Sequence, residues 1–227
     1  MFIGHFGLSL AAKKVAPRVS LGVLFLATQF VDFLWPFLLL INVEKVAIVP
    51  GHTEANALEF LYYPYTHSLL MGIVWGAVVG AIYWLIKKDN RGAMVIGLCV
   101  LSHWFLDLIV HTVDLPLAFG DYKMGFGLWN NVMMTTIIET LLFIIGVYIY
   151  ATFTKPKNKV GKWAFVGFVV FLILFNISNT FGPPPASITM LAYSLVILMV
   201  VIIALAYWVD KNREVVTNHD SALNSAN

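Results

Sequence analysis

Charge is scarce in this chain of 227 residues: Asp, Glu, Lys and Arg together make up 11% of it, where soluble domains carry about a quarter. With 60% hydrophobic residues and a mean hydropathy of +0.84, most of the surface cannot face water, which excludes a soluble globular fold with a membrane anchor attached. Cysteine is scarcer still. Cys99 is the single one and lies inside an apolar run, so neither a disulfide framework nor a thiolate metal knuckle can form. Gly-rich phosphate loops, nucleophile elbows and CxxC pairs are absent. The net charge is only +2 and the basic residues sit in short separate clusters, which excludes a nucleic-acid surface. The stretch Phe2 to Lys14 has its charges after its apolar part and no small-residue cleavage site, so it reads as retained and not as a cleaved signal.

Long apolar runs are what the chain has in quantity. Crossing a hydrocarbon core of about 30 Å takes roughly 20 apolar residues. Six stretches meet that length, over residues 20–43, 66–86, 92–111, 129–153, 162–181 and 187–209. Lys13, Lys14, Arg18, Lys87, Lys88, Arg91, Lys155, Lys157, Lys159, Lys162, Lys211 and Arg213 then fall on one side, leaving only Lys45 and Lys123 for the other. Such an excess marks the cytoplasmic face. The expectation is an all-α polytopic protein of the inner (plasma) membrane, with the N-terminal basic stretch and the C-terminus cytoplasmic and the loops 44–65 and 112–128 outside. Residues 1–210 form one transmembrane domain, and 211–227 a polar, disordered tail. Residues 2–12 are apolar but too short to cross. They fit a half-helix rising from the inner face, or an amphipathic helix lying on the leaflet.

Acidic side chains near a bilayer centre cost about 2.5–3.5 kcal/mol on insertion scales and usually have a partner or a task. Asp32, Asp107 and Glu139 lie within apolar spans. His103, Asp107 and His111 follow one another at i, i+4 and i+8, which stacks them on one helix face. His67 stands at the outer mouth of the second span and His5 on the N-terminal segment. Imidazole with carboxylate is the donor mixture of a zinc, manganese or iron site, and HxxxD supplies two ligands from adjacent turns. The same residues also serve as hydrogen-bonded glue between helices, or as a proton or ion path. Glu139, beside Thr135 and Thr136, fits a relay or structural acid as well as a ligand, and His67 and His111 fit solvated caps.

Aromatic residues such as Trp35, Trp75, Trp84, Trp129, Trp163 and Trp208 gather at span ends, where amphipathic rings sit at headgroup level. The run FGPPP (Phe181 to Pro185) ends the fifth span, because proline cannot continue a helix. The outer GHTEANALEF segment (Gly51 to Phe60) carries His52, Glu54 and Glu59, either solvated or covering the mouth of a site.

The ordered set Gly4-His5, VDFLWP (Val31 to Pro36), YPYTHSLL (Tyr63 to Leu70) and SHWFLDLIVHTVDLPL (Ser102 to Leu117) resembles the YdjM-related group of inner-membrane, predicted metal-dependent hydrolases. The likeness covers roughly the first 120 residues. It implies one divalent metal, with zinc expected, held by His5, Asp32, His67, His103 and Asp107. Hydrolysis would follow, with Asp107 or Glu139 taking a proton from water and Thr66, Ser68, His111 and Asn131 as orienting groups. Because the site is expected to open to the outer leaflet, the expected substrate is lipid-linked or otherwise amphiphilic, and membrane lipid is the surrounding partner. Two features depart from that pattern: the group's paired aspartates are here Asp32 followed by Phe33, and its HRG before THS is Tyr63-Pro64-Tyr65.

Overall fold

Short polar side chains decide where most of the helices begin. Ser20, Ser68, Asp89, Asn131, Asn158 and Ser187 each accept a hydrogen bond from a backbone N–H three residues on, satisfying a donor that the first helical turn leaves free. In the computed structural model, which describes residues 1–216, the elements run α1 (Ile3–Val15), α2 (Leu21–Thr28), α3 (Phe30–Leu40), β1 (Lys45–Ile48), β2 (Leu58–Tyr62), α4 (Pro64–His67), α5 (Leu69–Lys87), α6 (Asn90–Val110), β3 (Leu115–Pro116), β4 (Lys123–Met124), a 3-10 turn (Leu128–Asn130), α7 (Val132–Phe153), β5 (Thr154–Pro156), α8 (Lys159–Phe181), α9 (Ile188–Lys211) and β6 (Arg213–Val215). The strands form three small antiparallel pairs, β1 with β2, β3 with β4 and β5 with β6. The chain is an all-α integral membrane protein, 69% helical.

Helices α5 to α9 are each long and apolar enough to cross a bilayer, while α2 and α3, bent by 54° at their junction, pass the same test together. That pair lies along α9 from end to end. Gly22 of α2 sits on the backbone at Ile203 and Tyr207, whereas Leu191 and Leu195 pack on the cluster that holds Trp35 and Leu39 of α3. With the bent pair counted as one span, the six candidate crossings match the six apolar runs to within a few residues. Their outward faces carry exposed Ile82, Leu98, Ile144, Leu174 and Ile197, as lipid contact requires.

The junction of α2 and α3 contains neither glycine nor proline. The Thr28 hydroxyl instead bonds back to the carbonyls of Leu24 and Phe25, competing with the helical ladder. The bend leaves the Thr28 carbonyl free for another donor. Further along α3, Pro36 has no N–H for the carbonyl four residues earlier, that of Asp32.

Of the two arrangements open to the N-terminal segment, the structure shows the half-helix. Helix α1 is sunk in the bundle, with Ile3, His5, Phe6, Ser9 and Leu10 all at 0–2% exposure. Gly7 and Gly146 bring the backbones of α1 and α7 into contact, because a Cβ at either would strike the other helix's main chain. Thirteen residues at about 1.5 Å each lift its N-terminal end to mid-bundle. Its other end is tied down: Lys13 Nζ reaches Asp210 Oδ2 at 2.7 Å and the Val19 carbonyl at 2.8 Å, and Tyr150 also donates to Asp210.

Beneath the level of His5, Phe6, Leu10, Leu24, Phe25 and Ile96 fill the interior at 0–1% exposure. At the end carrying the two long loops, Trp35, Phe60, Tyr63, Trp104 and Leu115 form a separate core. Structure also extends past residue 210. Arg213–Val215 pairs with Thr154–Pro156, and Arg213 donates to Thr154 and to the Gly161 carbonyl. The rest of the expected tail, residues 217–227, lies outside the described residues.

Candidate metal centre

Four helices deliver one cluster. His5 comes from α1, Asp32 from the first turn of α3, His67 from α4, His103 and Asp107 from α6, and His111 from the residue that ends α6. The donor atoms of His5, His103 and Asp107 lie within 4.8 Å of one another, as do those of Asp32, His67 and His103.

The outer nitrogen of three of these rings fixes which nitrogen carries hydrogen. A carbonyl only accepts, so His103 Nδ1 donates to Thr28 O at 2.8 Å, the carbonyl that the bend in the first span exposes. His111 Nδ1 donates to Asp114 Oδ1 at 2.9 Å. The Thr66 hydroxyl donates to Glu44 Oε2 at 2.6 Å and therefore accepts from His67 Nδ1 at 2.7 Å. Thr66 N–H gives Glu44 a second bond, at 2.9 Å. Burial pushes the Glu44 carboxyl up from its ordinary range, against the pull of His67 and of these Thr66 bonds. Burial and the neighbouring Asp114 likewise push the Tyr63 phenol well above its usual range, keeping it a donor to Asp114.

Each of the three rings consequently turns Nε2 inward, toward carboxylates. His67 Nε2 lies 3.1 Å from Asp32 Oδ1. His103 Nε2 lies 3.1 Å from Asp107 Oδ2 and 3.6 Å from Asp32 Oδ1, and His111 Nε2 lies 3.7 Å from Asp107 Oδ2. Although it is buried beside two carboxylates, His103 Nε2 makes no hydrogen bond, and neither does His5 Nδ1. Lone pairs facing carboxylates at these distances repel unless a cation stands among them, and protonating every ring would crowd like charges together. Ligands about 2.0–2.2 Å from a tetrahedral ion stand about 3.3–3.6 Å apart. The spacings above bracket that interval, and Nδ1 donation to a carbonyl or carboxylate is the outer support that metal-binding histidines have. The residues fit a divalent ion.

The remaining neighbours are of other kinds. His5 Nε2 is 3.1 Å from Asp107 Oδ1, with its ring stacked on His103 at 3.9 Å between centroids. The α-amino group of Met1 lies 2.6 Å from the same oxygen. Glu139 accepts Phe2 N–H at 2.8 Å and Gly4 N–H at 3.5 Å, so this acid holds the start of α1. Both bonds land on Oε2, leaving Oε1 free of them. Above the cluster is a cavity of about 680 Å³, lined by Asp32, His67, Asp107, His111 and Glu139, by Trp35, by the Pro50–Leu58 stretch, and by residues of α8 and α9.

The structure thus brings together His5, Asp32, His67, His103, Asp107 and His111, with Thr66 directly behind His67. Ser68 and Asn131 are not brought in: each caps its own helix, accepting from Met71 N and Met134 N. The Gly51–Leu58 segment contributes to the cavity lining, and its Glu54 carboxylate also accepts Val132 N–H at 3.0 Å. Sequence reasoning missed Glu44 and Asp114. Asp114 was within reach, three residues after His111 in an otherwise apolar run. Glu44 gives no such signal, because its partner is 22 residues away and an acid just past a span reads as solvated. Comparison with family models, curated proteins and solved structures finds no match to this chain.

Proposed function

We propose that this protein is a membrane-embedded, metal-dependent hydrolase that acts on an amphiphilic or lipid-linked substrate. The observation that carries the reading is the common orientation of His67, His103 and His111, each donating through Nδ1 to an outer acceptor and aiming Nε2 at Asp32 and Asp107. Asp32, His67 and His103, one triad whose donor atoms lie within 4.8 Å of one another, hold one divalent ion, with Asp107 and His5 beside them. Mixed imidazole and carboxylate donors at these spacings suit zinc. When bound, such an ion polarises an ester or amide oxygen and lowers the pKa of a water toward about 7.

The chain's own groups supply the rest. Asp32, with a side chain 23% exposed on the cavity wall, is the cluster's accessible member. Glu139 Oε1 takes a proton from water while Oε2 keeps α1 in place. In the reaction the water oxygen bonds to the acyl carbon and the bond to the leaving oxygen or nitrogen breaks. One proton goes to the leaving group and the other departs with the acid. The motif resemblance described above points the same way. The basic end of the bundle faces the cytoplasm of an inner membrane, so the cavity opens on the outer side. A path for ions or protons is disfavoured by the tightly packed layer of Phe6, Leu10, Leu24 and Phe25 beneath the cluster.

Metal analysis of detergent-purified protein tests this reading, with His103→Ala and Asp32→Asn beside the wild type and folding checked by size exclusion. The expected result is about one equivalent of zinc in the wild type and less than a tenth of that in either folded variant. Wild-type protein that is metal-free and takes up none when zinc is added would overturn it.

A further inference from the structure

Most of the cavity lining already has partners. The Met1 α-ammonium lies on Asp107 Oδ1 at 2.6 Å, Glu139 holds the Phe2 and Gly4 N–H groups, Glu54 accepts Val132 N–H, and Asp32 belongs to the ion's triad. Each charge is met within the protein or by the ion, so charge does not choose the occupant. Hydroxyls of the loops and turns are engaged too, Thr53 with the Asn56 carbonyl and Thr135 with those of Leu128 and Asn131. On α9, Ser194 bonds the Met190 carbonyl, and Leu191, Leu195 and Leu198 leave the rest of that face apolar.

Helix α8 differs. Its inward stripe runs Phe165, Phe168, Leu172 and Asn176, all buried, at spacings of three and four residues. The stripe is apolar below and turns polar where it reaches the cavity, about 7 Å short of the helix end at Phe181. Asn176 lines the cavity at 8% exposure, and its amide makes no hydrogen bond within the described residues. Neither amide atom is sealed off, in contrast to those of Gln29. One turn on, Asn179 and Thr180 also line the cavity, with side chains that bond nothing among the described residues. Thr136, Thr152 and Ser194 turn back to the carbonyl four residues earlier in their own helices, and Thr180 does not.

A buried amide costs free energy unless its N–H groups find acceptors and its oxygen finds a donor. An ionised carboxylate or phosphate offers acceptors alone, and an ammonium donors alone. A hydroxyl does both, and two hydroxyls on adjacent carbons match the donor and acceptor that an amide presents side by side. We propose that α8 forms the head-group subsite of the cavity and takes a polyol: the substrate is an amphiphile whose head carries adjacent hydroxyls, one accepting from the Asn176 amide N–H and its neighbour donating to the Asn176 oxygen. Asn179 and Thr180 hold further hydroxyls, and the chain follows the leucine face of α9. This assignment rests on the hydrolytic reading above, which sets an acyl ester or amide at the ion, and adds the chemistry of the head.

Two ethers that cannot be hydrolysed give the test: dodecyl glyceryl ether, with two adjacent hydroxyls, and the dodecyl monoether of trimethylene glycol, which lacks the middle one. Each is titrated into nanodiscs with and without protein, so that partition into the bilayer is subtracted. Wild-type protein is expected to bind the glyceryl ether about tenfold more tightly. Asn176→Leu, similar in size and without hydrogen-bonding atoms, lowers that preference to less than about twofold, with metal content and size-exclusion profile unchanged. Should that variant fail to fold, Thr180→Val on the same wall reads the loss, expected to be about threefold. Equal affinity of wild-type protein for the two ethers would overturn the proposal, as would an undiminished preference in folded Asn176→Leu. Metal analysis of the same samples keeps the two readings apart. Absence of metal defeats the hydrolase whatever the affinities, whereas metal-loaded protein without the preference defeats only the polyol assignment.

Discussion

Glu44 and Thr66 act on the centre only through His67, and the direction of their hydrogen bonds matters more than their presence. A carboxylate at 44 accepts from the Thr66 hydroxyl at 2.6 Å, which makes that oxygen an acceptor for His67 Nδ1–H and leaves Nε2 bare. Glu44→Gln keeps the shape but offers an amide N–H, which reverses the relay and puts the hydrogen on Nε2, where it faces Asp32. Zinc affinity measured by chelator competition is expected to fall about 10–100-fold in Glu44→Gln and in Thr66→Val, with Thr66→Ser close to wild type. Equal affinity in Glu44→Gln would show that the relay does not set the tautomer. His103 needs no such side chain. Its acceptor is the Thr28 carbonyl, a main-chain atom that the bend of the first span exposes, so no substitution at position 28 that preserves the bend removes it.

At the scale of elements, α1 delivers His5 because Gly7 and Gly146 let two backbones touch. Gly146→Leu puts a side chain where the α1 main chain runs, and overpacking of this kind costs about 1–3 kcal/mol. The expected outcome is a lower melting temperature together with metal content below half of wild type. Gly167→Leu is the control, since nothing lies within 4 Å of a Cβ there, and it should leave both readings unchanged. The long helices were legible from hydropathy alone, because a lipid-facing helix is apolar on every exposed turn and Ser, Asp or Asn marks its start. The residues of the cluster were legible too, since an Asp or His inside an apolar run needs a reason. The bend at Gln29 was not legible, because a threonine hydroxyl and packing produce it without any glycine or proline. The three strand pairs were equally silent: each has five or fewer residues per strand, too short for alternation to register.

Across the whole molecule, chemistry and charge lie at opposite ends. The cluster and cavity sit toward the end formed by the loops after α3 and α6, while Lys13, Arg213 and most other basic residues gather at the far end. Sidedness can be measured in a Cys99→Ala background. Lys45→Cys is expected to react with an impermeant maleimide in intact cells, and Lys88→Cys only after lysis; the reverse would invert the bundle and turn the cavity inward. The inserted α1 has a further consequence, in time and not in space. Its partner α7 lies more than a hundred residues downstream, so α1 leaves the ribosome with no glycine groove to receive it. A single helix of that length cannot cross a bilayer alone, and it must wait at the surface until the later spans are in place. His5, synthesised before the rest of the cluster, is therefore among the last of it to be seated, and the cluster closes only when the bundle is nearly complete.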